Sequence, residues 1–318
     1  MTANIPGLDL IGDAVEAASD FVGDPEPGRK STRRHLSRRR LYLRRFLRNR
    51  GALVGLAILI LLVLFALFGS LFTPHTYLDV DFANLTTEPS PDHLFGTNGA
   101  GNDTFAQSVH GLQRSLLIAL SVSVLTTVIA AIVGAAAAYI GGLTEKIILE
   151  IIHFLLVVPS FLLLALVSQR AGGDWRVLIL ALTAFGWVFG ARVVWSLSTS
   201  LREREYVQAA RFMGVTPFRV VVRHLVPNIG SLLIVSFTLG VVGTVLSETA
   251  LSFLGFGVQQ PDVSLGTMLS DGSNTITSAP WLFYFPAGLL TLLTVSMTLI
   301  GDGLRDALDP SSRSGGRA

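Results

Sequence analysis

Cysteine is absent from this chain of 318 residues, which excludes disulfides and thiolate chemistry and leaves the redox compartment unreadable. Charge is scarce: 14% of residues are Asp, Glu, Lys or Arg, against about 25% in a soluble domain. Basic residues are missing altogether from 1–28, 74–113 and 255–281. What fills the space is apolar. Half the residues are hydrophobic, the mean hydropathy is +0.58, and the apolar runs reach the ~20 residues that a bilayer-crossing helix needs. The composition therefore predicts an all-α, polytopic membrane protein.

Six spans are expected, at about 51–73, 115–140, 146–168, 177–199, 231–254 and 282–304. The first starts after about fifty residues and is too long for a signal-peptide core, so it reads as a retained anchor. Pro159 should kink the third span. Small residues crowd the second (Gly134, Ala135, Ala136, Ala137, Ala138) and the fifth (Gly240, Gly243), as close helix packing in lipid requires.

The placement of charge orients these spans. The pI near 9.2 invites a nucleic-acid reading, but the basic residues are not spread as a binding face. Residues 1–28 hold six acids and read as a disordered tail, and eleven Lys or Arg then fall between Arg29 and Arg50. That block is an anchor beside anionic lipid, with Tyr42, Leu43, Phe46 and Leu47 on one helical face and arginines on the other. Loop 74–113 carries five acids, whereas 200–230 carries Arg202, Arg204, Arg211, Arg219 and Arg223. Counting the tail and Lys146, twenty of the 24 basic residues lie on one side. The positive-inside rule makes that side cytoplasmic, with both termini, including a disordered 311–318. The membrane domain expected over 51–310 thus has an extracytoplasmic loop at 74–113 and a cytoplasmic one at 200–230.

That cytoplasmic island is the most informative segment. Tyr206, Ala209, Ala210 and Met213 recur at helical spacing, Gly214 sits where a helix C-terminal glycine belongs, and Thr216-Pro217 suits a second helix start. Phe218, Val221, Val222, Leu225 and Val226 form an apolar stripe, and Pro227 should end the helix. Two short helices with a sharp bend make either a rigid knob for docking or an amphipathic loop lying on the membrane. Periodicity does not choose between them.

Other residues carry less. Residues 23–31 contain a glycine–lysine–serine pattern with a faint likeness to a phosphate loop, but no strand precedes it and the Lys is displaced. Glu150 and His153 would be half of a metal site, and no second such pair exists. Metal and catalytic residues are both expected to be absent. Glu248, an acid inside the fifth span, should either line a substrate path or pair with a partner subunit or with Arg176.

The spacing of the island is similar to a known signature. The permease subunits of binding-protein-dependent ABC importers carry E-A-A, three residues, G, nine residues, I-x-L-P, and here Gln208-Ala209-Ala210, Gly214 and His224-Leu225-Val226-Pro227 occupy those positions. Gln208, His224 and Val226 depart from it. EYVQAA, with its leading Glu205, looks like the dipeptide/oligopeptide branch, specifically its C-type permease. Segments 93–119 and 252–259 resemble the same branch, although Gly101-Asn102-Asp103 lacks the basic residue usual there.

The resemblance implies a type I importer permease that forms half of the pathway. It would pair with a homologous permease as a heterodimer, with one or two ABC ATPase subunits binding ATP and Mg, and with an extracytoplasmic substrate-binding protein. The setting is a bacterial inner membrane, and the substrates are peptides, nickel chelates or haem. Glu205, Tyr206, Gln208, Ala209, Ala210, Met213, Gly214, Pro217 and Pro227 would form the ATPase-coupling surface. On this reading Gly214→Asp or Ala210→Arg abolishes docking while the protein still inserts. The rival classes are an ion-coupled secondary transporter, which needs mid-membrane charges and an internal repeat, and an intramembrane enzyme, which needs a Ser/His pair or metal ligands within the spans.

Overall fold

The computed structural model describes residues 38–308, with side chains from Tyr42. The expected acidic tail, the phosphate-loop-like stretch, the start of the basic segment and the 311–318 tail lie outside the described residues.

The protein is a bundle of helices. α1 is Arg38–Phe46, α2 Arg50–Phe68, α3 Thr104–Ile140, α4 Gly142–Val157, α5 Ser160–Arg170 and α6 Trp175–Arg202. The island forms α7, Glu205–Phe212, and α8, Pro217–Val220; a wide turn over Val221–Leu225 leads to the short α9, Val226–Asn228. α10 is Gly230–Phe253, α11 Leu265–Ser273 and α12 Trp281–Leu308. Among the described residues, five helices are long and apolar enough to cross a membrane, six if the bent pair α4/α5 is one span.

The expected spans agree with the helices to within a few residues, with three exceptions. The second begins at Thr104, not near 115, because Asp103 caps it: its carboxylate accepts the Ala106 N–H at 2.7 Å. The third is broken rather than kinked. α4 and α5 meet at 77° around Pro159, which lacks the N–H that would continue the ladder. The loop 255–281 contains α11, started by a capping box in which Ser264 and Thr267 bond each other's backbone N–H.

α3 is the organising element, contributing to all four apolar clusters. Leu112 and Ala119 pack with α2, α10 and α12, whereas Ile118 and Val122 pack with α5 and α6. Ala130 meets α4 and α6, and Ala135 meets the island. Gly134 is where α3 and α6 touch most closely: a methyl there would lie 2.8 Å from Val194 Cβ and 2.9 Å from Trp195 N. Ala135, Ala137 and Ala138 are fully buried, so the packing reading holds for the second span. It fails for Gly243, which is exposed with nothing within 4 Å of an added methyl. Gly240 instead edges an apolar cleft of about 360 Å³, shared with Gly186 and Gly190.

Leu43 of α1 and Leu47 just after it are exposed beside the arginines, but Phe46 turns into the cluster of α2 and α12. The expected apolar face is therefore split. Asn49 caps α2 by accepting the Ala52 N–H and donates to Asp306 of α12. At the other end, Asp262 ties the loop after α10 to α3, pairing with Arg114 at 2.8 Å and His110 at 2.7 Å, and Tyr77 of the loop after α2 stacks on the same His110.

Candidate coupling site

The island folds as a knob with an apolar root. Val207 and Ala210 of α7, with Val220, Val221, Leu225 and Ile229, are buried against Ala135 of α3 and Val194 of α6. Burying each of the larger aliphatic side chains contributes about 1.5–3 kcal/mol, which is enough to fix so short a pair of helices. The opposite face is bare: Glu205, Tyr206, Ala209, Met213 and Gly214 are exposed, together with Phe212 and Phe218.

This divides the stripe expected from periodicity. Tyr206, Ala209 and Met213 face out, whereas Ala210 turns in beside Val207. A period of 3.6 marks an apolar band but not which edge the rest of the chain covers. Ala210→Arg is accordingly a lesion in the protein's own core. In the second stripe Val221 and Leu225 are buried as expected, but Phe218 is 71% and Val222 43% exposed. Val207, Phe212 and Phe218 are the knob residues that sequence reasoning missed or misplaced. A large aromatic next to Arg211, just before the helix-stopping Gly214, was the available signal for Phe212.

Gly214 stops α7 as the sequence suggests. Its φ is +74°, a region costly for most side chains. Val215 N donates to the Ala210 carbonyl and Gly214 N to that of Arg211, the paired bonds of a Schellman turn. Pro217 stands in the first turn of α8, but the Thr216 side chain makes no capping bond. Pro227 does not end the helix. The preceding turn widens so that Val226 N donates to the Val221 carbonyl five residues back, which accommodates a ring that would otherwise press on the carbonyl of Arg223. Asn228 Nδ2 then caps the His224 carbonyl at 2.6 Å.

Gln208 has a task that an acid cannot perform. Its Nε2 donates to the Arg202 carbonyl at 3.1 Å, at the C-terminal end of α6. Arg202 in turn donates through Nη1 to the Ala138 carbonyl at 2.8 Å, and through Nε to Glu203. Glu145 of α4 accepts from Trp195 of α6 at 2.7 Å. The knob is thus fastened where α3 and α6 end and α4 begins.

Glu248 is buried within its own chain and opens onto no cleft among the described residues. It is 1% exposed and its Oε1 accepts from Ser252 Oγ at 2.7 Å and Ser264 Oγ at 2.6 Å. It binds α10 to the cap of α11. Arg176 is engaged elsewhere, its guanidinium lying over Trp175. Truncation by Glu248→Ala should leave two buried hydroxyls without an acceptor, at about 1–3 kcal/mol each, whereas Glu248→Gln keeps the accepting oxygen. A clear fall in the thermal midpoint is expected for the Ala variant and a small one for Gln. An unchanged Ala variant would remove Glu248 from any structural role. Glu150 and His153 are both exposed on α4.

Comparison with known proteins bears on this geometry. The family described as "binding-protein-dependent transport system inner membrane component" matches residues 127–314, which include the knob, α4 to α12 and the C-terminal part of α3 from 127 onward. The chain belongs to this family. The permease also matches "N-terminal TM domain of oligopeptide transport permease C" over residues 37–89. It is 49% identical over 280 residues to the oligopeptide transport system permease protein OppC of Mycobacterium tuberculosis, covering 87% of this chain and 96% of that one. OppC of Bacillus subtilis is 36% identical over 298 residues, 94% of this chain and 97% of its own. The dipeptide transport system permease protein DppC of the same organism is 36% identical over 271 residues, 85% of each chain. The permease is therefore a multi-pass membrane component of a transport system that depends on a binding protein.

Proposed function

We propose that this permease is one half of the translocation pathway of an ATP-driven peptide importer, with the knob 205–228 as the contact through which an ATPase drives it. The observation that carries the reading is the division of the knob. Its root is buried in its own chain at the ends of α3, α4 and α6, while its tip presents Tyr206, Phe212, Met213 and Phe218 to the surroundings. Exposed aromatic and Met side chains on a rigid base are what a partner's groove takes up. Nucleotide and loaded binding protein would then bias one two-state element from opposite ends.

The charge distribution supports an inward-facing knob and inward termini, and the names of the relatives support oligopeptides or dipeptides over nickel chelates or haem. A homologous permease fits the cleft lined by Gly186, Gly190 and Gly240, which lies open on this chain. ATP and Mg would be held by the ATPase subunits, and the permease itself would contribute no catalytic group. Peptide uptake by cells expressing the system should be blocked by vanadate and survive an ionophore. Uptake that collapses with the ionophore and ignores vanadate would assign the chain to an ion-coupled class instead.

A further inference from the structure

The loop that follows α2 is folded back on the start of α3, and three potential metal donors from separate stretches meet there. His75, His93 and Asp103 each offer a ligand atom, all within 4.8 Å of one another. His93 and Asp103 are buried, at 4% and 2% exposure, and His75 is half-buried on the solvent side. His93 Nδ1 lies 2.8 Å from Asp103 Oδ2, while Asp103 Oδ1 is held by the Ala106 N–H. The His75 ring stacks on that of His93 with centroids 4.6 Å apart. Two imidazoles are thus stacked face to face in a segment, 74–113, that holds five acids and no Lys or Arg.

We propose that His75, His93 and Asp103 form a binding site for a borderline divalent metal ion such as zinc, which takes the place of the proton shared by His93 and Asp103. Imidazole and carboxylate together suit zinc, and three protein ligands leave a fourth position for water. Tetrahedral zinc with bonds near 2.0–2.1 Å needs donors about 3.4 Å apart. His93 and Asp103 must therefore part slightly, and His75 must close in. His75 is the movable member. Each ring must contain the metal in its plane, so His75 turns out of the stack as the ion enters from solvent.

The surroundings are already arranged for this. Asp81 Oδ2 lies 3.7 Å from His93 Nε2, where it would keep the proton on Nε2 and leave Nδ1 free to ligate, the usual task of a carboxylate behind a metal-bound histidine. Asp81 is itself oriented by Asn84 Nδ2 at 2.7 Å and the Ala83 N–H at 2.9 Å. The bound ion would staple the loop after α2 to the first turn of α3. It would act on the opposite end of α3 from the knob, independently of what drives transport.

The test uses the full-length chain, purified with a tag free of histidine, stripped with EDTA and titrated with zinc chloride. One zinc per chain is expected by elemental analysis, with a rise in the thermal midpoint, and cobalt should give the visible absorption of a tetrahedral site. His75→Ala should lower zinc affinity at least 10-fold, in keeping with the loss of a ligand. It should leave the metal-free midpoint near that of the parent, since His75 is half-buried. His153→Ala and His224→Ala should bind like the parent. No zinc on the parent, zinc retained by His75→Ala, or a lowered metal-free midpoint with the zinc-induced rise intact would each overturn the site and leave His93–Asp103 as a helix cap alone.

Discussion

Ala210→Arg should remove the permease from the membrane altogether, not merely uncouple it. Ala210 is 1% exposed, packed with Val207 against α3 and α6. A guanidinium there has no acid among the residues of that cluster. An unpaired buried charge joined to severe overpacking belongs to the class of substitutions that cost more than about 4 kcal/mol. That is a large share of the 5–15 kcal/mol that holds a typical fold. Ala209→Arg, one residue away on the exposed face, should accumulate at the parent level. The measurement is the abundance and thermal midpoint of a fluorescent-protein fusion in detergent. Equal accumulation of the two variants would mean that the root of the knob is not packed as described.

Gly214→Asp should show the opposite pattern, with normal insertion and lost uptake. A side chain at Gly214 meets nothing within 4 Å in its own chain. Asp enters the left-handed region more readily than most residues, so the Schellman turn should persist at a cost near 1 kcal/mol. What changes is the tip, which gains a carboxylate beside Met213. If the tip is buried against an ATPase, the unpaired charge must be desolvated on docking, at a cost that reaches 10-fold or more in affinity. Peptide uptake should fall by at least that factor while the amount of protein in the membrane stays constant. Parent-level uptake by a well-expressed Gly214→Asp variant would sink the assignment of the knob as the driven contact. Together the two variants separate folding from docking within five residues.

Both variants were legible in the sequence only in part. Spacing located Gly214 and the helix it ends, because a left-handed stop is a local property of the backbone. It did not locate Ala210, because the covered edge of an apolar stripe is decided by residues as distant as Ala135 and Val194. Pro227 failed as a stop for a similar reason: a widened turn two to six residues earlier absorbed it. The spans were legible because lipid demands length and hydrophobicity, properties of the segment itself. α11 was not, being nine residues long with two glycines and capped by Thr267 where Glu or Gln is usual. Glu248 shows the limit most clearly. An acid in an apolar run is conspicuous, but its partners are Ser252 and Ser264, common residues that give no signal of their own.

One consequence follows from the length of α3. At 1.5 Å per residue its 37 residues make a rod of about 55 Å, unbroken by proline, with Ala135 against the knob at one end and Asp103 at the other. Such a rod transmits displacement by tilting, since it cannot shorten without breaking its hydrogen bonds. A rotation of about 5° around its midpoint moves each end by roughly 2.4 Å, in opposite directions. Leverage of that kind needs no relay of side chains between the two faces of the membrane. If an ATPase drives the knob, the stiffness of one helix, and the place where α6 packs against it at Gly134, would set how far the stroke carries.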